Sequence, residues 1–154
     1  MSASTSSSNA RRSAIQIDPR YALLTAALLA ISFALSSIPD LDHTDGPVWR
    51  ALFNAMHAPL FGAVAWCGYK TFSRGRDGSR AALTLACVMA SLYAVFDEWH
   101  QSFVVGRDSS LLDLLVDFIG ITIVLFVLYR RAVQRATPVE PMGPMPDRKQ
   151  PETP

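Results

Sequence analysis

The chain has 154 residues, half of them apolar and 18% charged, with a formal net charge of +1. That length fits one domain, and the near-neutral charge gives no support to nucleic-acid binding. Two cysteines, Cys67 and Cys87, both inside apolar runs, exclude a disulfide scaffold, and no Cys/His spacing for a structural zinc site is present.

The charges sit in short blocks between long apolar runs, the pattern of an integral membrane protein. Residues 1–20 are expected to be a disordered tail, since Ser, Thr and Ala dominate their first part. Arg11 and Arg12 come late and precede a long apolar run, which reads as a signal anchor rather than a cleaved signal peptide. Residues 21–38 carry no charge. At about 1.5 Å per residue they span about 27 Å, close to the roughly 30 Å of bilayer hydrocarbon. Residues 40–50 form a loop with three Asp and the turn signal Gly46-Pro47.

A second run covers residues 53–72, with His57 and Pro59 near its start, where a proline costs a helix little. Residues 73–80 are a basic, Gly-broken loop. The third run, 81–96, continues without Gly or Pro through Asp97-Glu98-Trp99-His100-Gln101, so one helix is expected with a polar extension to residue 103. Residues 105–108 break it. The fourth run covers 111–129, with Ser110 three residues before Asp113 in a capping-box pattern. Residues 132–154 are Pro-rich and are expected to form a disordered tail. The expected fold is therefore all-α: an integral membrane four-helix bundle over residues 21–131 with disordered N- and C-terminal tails.

Charge predicts its orientation. Of the 14 Lys and Arg, all but Arg50 and Arg107 lie on the N-terminal side, in the second loop or at the C-terminal side. The positive-inside rule then places both termini in the cytoplasm with four spans. Asp40, Asp42, Asp45, Asp97, Glu98, Asp108, Asp113 and Asp117 collect at the opposite face.

Charge inside a span is costly, about 2.5–3.5 kcal/mol near the centre on insertion scales. Spacing of four places Asp113 with Asp117, and Asp97 with Gln101, on shared helix faces. His57, Asp97, Glu98, Gln101, Arg107, Asp113 and Asp117 can thus converge at one depth. Arg107 can pair with the carboxylates or present its guanidinium fork to an anionic group. Trp99 and His100 point away from this face and read as interfacial. A structural role for the cluster stands beside the functional one, since acidic groups at a helix N-terminus also serve the dipole.

The stretch from Asp97 to Arg107, with Asp-Glu, then Gln101, Phe103 and Gly106-Arg107, resembles the signature of the VanZ-like family. Ser110, Asp113, Asp117 and Gly120 match its later positions, with Asp117 standing where Asn is more usual. His57 before Phe61-Gly62 is similar to the family's His in an earlier span, although Phe53-Asn54 stand where Asp-Lys is frequent. The resemblance implies a small multi-pass membrane protein of the cell envelope, and the family's name-giving protein is linked with resistance to the glycopeptide teicoplanin. It implies no reaction.

Three readings follow. The first is an envelope binding or accessory protein whose outer polar cluster engages a lipid headgroup, a cell-wall precursor or a glycopeptide. The second is a membrane enzyme acting on a lipid-linked or cell-wall substrate through carboxylate and His chemistry, either general acid–base work or a divalent metal held through oxygen and imidazole. The third is a structural partner subunit in a homo- or hetero-oligomer. No nucleophile motif or phosphate loop favours the second. No catalytic residue, metal or cofactor is assigned, and the bilayer itself is the one partner all three share.

Overall fold

The computed structural model describes residues 17–39, 46–74, 78–107 and 109–136. They form four helices: α1 (Pro19–Ser36), α2 (Pro47–Ser73), α3 (Arg80–Gln101) and α4 (Leu111–Ala136). The remainder of both expected tails lies outside the described residues.

The helix ends differ from the sequence expectation for local reasons. Asp18 accepts a hydrogen bond from the backbone N–H of Arg20, and Pro19 occupies the first turn, so α1 begins before the apolar run. Pro47 likewise opens α2, after Gly46 at φ 103°. This places Pro59 inside the helix rather than near its start. Pro59 has no N–H for the carbonyl four residues back, a loss that α2 absorbs in its middle. α4 continues through Arg130 and Arg131 to Ala136, because nothing in that basic stretch breaks a helix. Its last turns therefore take residues 132–136 from the expected tail.

Hydrogen bonds between helices set the topology. Asp18 N–H donates to the Thr71 carbonyl (2.8 Å), joining the start of α1 to the end of α2. Ser36 on α1 reaches Asp97 on α3, both near the C-terminal ends of their helices. His57 on α2 meets Asp117 on α4, both in the N-terminal halves. The helices thus run up, down, up and down, as short connections require.

Burial is arranged inside-out relative to a water-soluble protein. The buried residues of α1 are Thr25, Ser32 and Ser36, while Leu23 is 72% exposed and Ile31 52%. Along α3 the buried face is Ala82, Ala86, Ala90 and Ala94, followed by Asp97, Glu98 and Gln101. Small residues let helices approach closely where lipid covers the outer face. α1, α3 and α4 are each long and apolar enough to cross a membrane. α2 packs against all three and carries Asn54, His57, Lys70 and Thr71; a helix so surrounded needs less apolar surface.

The apolar core is Phe61, Val64, Ala65, Ala90, Ala94 and Ile121. It separates the acidic end of the bundle from the basic one. At Gly120, α2 and α4 touch backbone to side: a Cβ there would run into the carbonyl oxygen of Ala58.

Candidate functional site

The polar extension of α3 turns its charged face inward. Asp97 is 1% exposed and Gln101 2%, and both are held by short bonds. Ser36 Oγ donates to Asp97 Oδ1 (2.7 Å), and Gln101 Nε2 donates to Asp97 Oδ2 (3.1 Å) and Ser36 Oγ (3.4 Å). A buried carboxylate survives in this setting because each oxygen has a donor.

Glu98, one residue on, reaches sideways. Its Oε2 accepts the backbone N–H of Ser110 (2.9 Å), one of the groups that a helix start leaves unsatisfied. The Ser110 hydroxyl accepts from Leu112 N–H (3.0 Å). The capping-box pattern is therefore completed from another helix: Glu98 takes the Ser110 N–H. Gly106, at φ 72°, gives the turn that brings Arg107 back over the bundle end, a conformation glycine adopts without strain.

Deeper in the bundle, His57 Nδ1 and Asp117 Oδ1 lie 3.2 Å apart, with Asp117 fully buried. His57 stacks on Phe61 one turn below (centroids 6.3 Å). Phe61 is itself fully buried, so it closes the floor of the site against the apolar core. His57, Glu98 and Asp117 each offer one ligand atom within 4.8 Å of the others. Glu98 Oε1 and Asp117 Oδ2 are buried and have no hydrogen-bond partner among the described residues. Leaving such a group unsatisfied costs about 1–3 kcal/mol, more when it is charged.

A cavity of about 90 Å³ opens between the helices at this end, lined by Ser36, His57, Asp97, Gln101, Arg107 and Asp113 among others. All seven residues singled out from sequence lie in this region: five line the cavity, and Glu98 and Asp117 stand with His57 beside it. Sequence reasoning missed Ser36, and with it the contribution of α1. The signal was present, since Thr25, Ser32 and Ser36 recur at helical spacing in a run whose one other hydroxyl besides Tyr21 is Ser37. His100 is also more engaged than an interfacial residue: its Nε2 lies 2.9 Å from Ser37 Oγ and its ring stacks on Phe33 (4.5 Å).

The family model VanZ/LLP1 matches residues 1–133. The chain belongs to the VanZ/LLP1 family. It is accordingly a multi-pass membrane protein, and the group of half-buried His57 with buried Glu98 and Asp117 is a feature of this VanZ/LLP1 chain's bundle. Neither a curated protein nor a solved structure matches the chain.

Proposed function

We propose that this VanZ/LLP1 protein crosses the membrane four times, keeps both termini in the cytoplasm, and binds a small polar headgroup at its extracytoplasmic end. The observation that carries this reading is the cavity lined by Asp97, Gln101, Arg107 and Asp113. Its size selects the ligand. Drug-sized ligands occupy pockets of about 300–1,000 Å³, so a glycopeptide does not enter a cavity of about 90 Å³. A phospholipid headgroup, or the phosphate portion alone of a lipid-linked cell-wall precursor, is small enough, and the lipid tail would run along the apolar flank of the bundle.

Charge refines the choice. Four carboxylates and one Arg disfavour a simple anion. A zwitterionic headgroup satisfies both signs, with phosphate on the Arg107 fork and an ammonium against Asp97 and Asp113. An effect on glycopeptide susceptibility would then run through the envelope lipid or precursor rather than through the drug. The role is that of a binding or accessory protein.

Calorimetric titration with short-chain phosphatidylethanolamine checks the ligand class. Arg107→Ala should weaken binding roughly tenfold or more, the worth of a charge-assisted contact; equal affinity in the variant contradicts the reading. Orientation is checked by a membrane-impermeant maleimide on intact cells, with Cys67 and Cys87 removed. Val105→Cys, 78% exposed beyond α3, should label from outside, and Ser79→Cys at the other end should not.

The enzyme reading draws on one observation, the imidazole of His57 backed by the Asp117 carboxylate at 3.2 Å, an arrangement suited to general base chemistry. Turnover of a lipid-linked substrate, lost on Asp117→Asn, would favour it.

A further inference from the structure

We propose that His57, Glu98 and Asp117 bind a divalent transition-metal ion in the core of the bundle. The proposal goes beyond headgroup binding and stands on other residues than Arg107. Each of the three groups comes from a different helix, α2, α3 and α4, and each offers a ligand atom within 4.8 Å of the others. Metal sites of helical bundles are built in this way, from side chains that project inward from facing helices.

Two further observations point to a ligand. Glu98 Oε1 and Asp117 Oδ2 are buried without a hydrogen-bond partner among the described residues, on side chains only 6% and 0% exposed. A bare carboxylate oxygen in that setting is a donor with nothing to hold. The 3.2 Å between His57 Nδ1 and Asp117 Oδ1 is also close to the roughly 3.3 Å edge of a tetrahedron whose bonds are about 2.0–2.1 Å. The two atoms already stand as neighbouring ligands would, with a Glu98 carboxylate oxygen within 4.8 Å of both.

The donor set chooses the metal. One imidazole and two carboxylates suit Mn²⁺ or Zn²⁺, whereas Mg²⁺ and Ca²⁺ favour oxygen alone. Three protein ligands leave a coordination position for water or a ligand atom. Binding at Nδ1 requires the tautomer with its proton on Nε2. The His57–Asp117 hydrogen bond is thus exchanged for two metal bonds, and the proton stays on the imidazole. The surroundings support the arrangement: Ser110 N–H holds Glu98 through Oε2 (2.9 Å), and Phe61 stacks against His57. Such outer contacts fix the aim of metal ligands. The sequence alone assigned no metal, because it could not show that these three side chains meet.

The test is titration of the purified, chelator-stripped full chain in detergent with Mn²⁺, read by the fall in the free-ion EPR signal. One ion per chain is expected, displaced by Zn²⁺, with affinity roughly tenfold or more weaker in Glu98→Gln and Asp117→Asn. Arg107→Ala should retain the ion, which separates this proposal from headgroup binding. Echo-modulation spectra of bound Mn²⁺ should show coupling to an imidazole nitrogen, absent in His57→Gln, and this readout on the unaltered chain serves where a carboxylate variant does not fold. Failure of the folded protein to bind either metal overturns the proposal. So does unchanged binding in Glu98→Gln and Asp117→Asn, or an ion without nitrogen coupling.

Discussion

At the end formed by the α2–α3 connection, Arg74, Arg80, Arg130, Arg131 and Arg135 are all exposed. Lys70, Arg131 and Arg135 border a pocket of about 200 Å³ beside Tyr69 and Trp66. At the other end Asp97, Glu98, Asp113 and Asp117 are all buried. The first arrangement leaves each charge in contact with water or headgroups, where long side chains can snorkel at little cost. The second takes charge out of water, where it is expensive unless held by partners or a ligand. Exposed charge suffices to orient a protein in a bilayer, and nothing about orientation requires a charge to be buried. Orientation alone thus accounts for the exposed basic end, whereas the buried acidic end is where the proposed headgroup and metal sites lie.

The contrast can be broken by substitutions that fall on either side of it. The largest effect is expected where packing brings the acidic end together. Gly120→Ala drives a Cβ into the Ala58 carbonyl, and a backbone obstacle cannot swing aside as a side chain does. The cost should be about 3 kcal/mol, the upper part of the usual overpacking range. Thermal unfolding in detergent would show it, and an unshifted midpoint would mean that α2 and α4 are not in close contact. Asp97→Ala comes next. It leaves the buried Ser36 hydroxyl without its acceptor and Gln101 with only its longer bond to Ser36, at about 1–3 kcal/mol. Arg131→Ala at the basic end should change stability by no more than about 0.5 kcal/mol, as exposed substitutions do. Equal losses from Asp97→Ala and Arg131→Ala would erase the distinction between the two ends.

Much of this was legible in the sequence, for a physical reason. Apolar runs of bilayer length and sorted charge are imposed by the solvent, and both survive without knowledge of packing. The polar identities from Asp97 to Gly120 were legible as well, because membrane spans seldom tolerate them. Lateral arrangement was not. Ser36 looked like the end of an apolar run, yet its hydroxyl is a partner of Asp97. Glu98 looked like a member of the acidic cluster, yet one of its oxygens holds the start of α4. Pro59 looked like a helix-opening residue, since the segment from Pro47 lacked the apolarity by which the run was recognised; the helix begins there because Pro47 fits its first turn. The first two concern contacts between helices, which spacing along one helix does not determine, and the third concerns a local helix start outside the apolar run.

The measurement that tests the central claim most directly compares the two ends for lipid retention. Native mass spectrometry of the protein released from membranes, with Arg107→Ala and Arg131→Ala in parallel, reads the bound headgroup. A phosphate-bearing lipid should remain on the parent chain and on Arg131→Ala, and be lost from Arg107→Ala. Loss from Arg131→Ala with retention on Arg107→Ala would place the lipid at the exposed basic end and contradict the account.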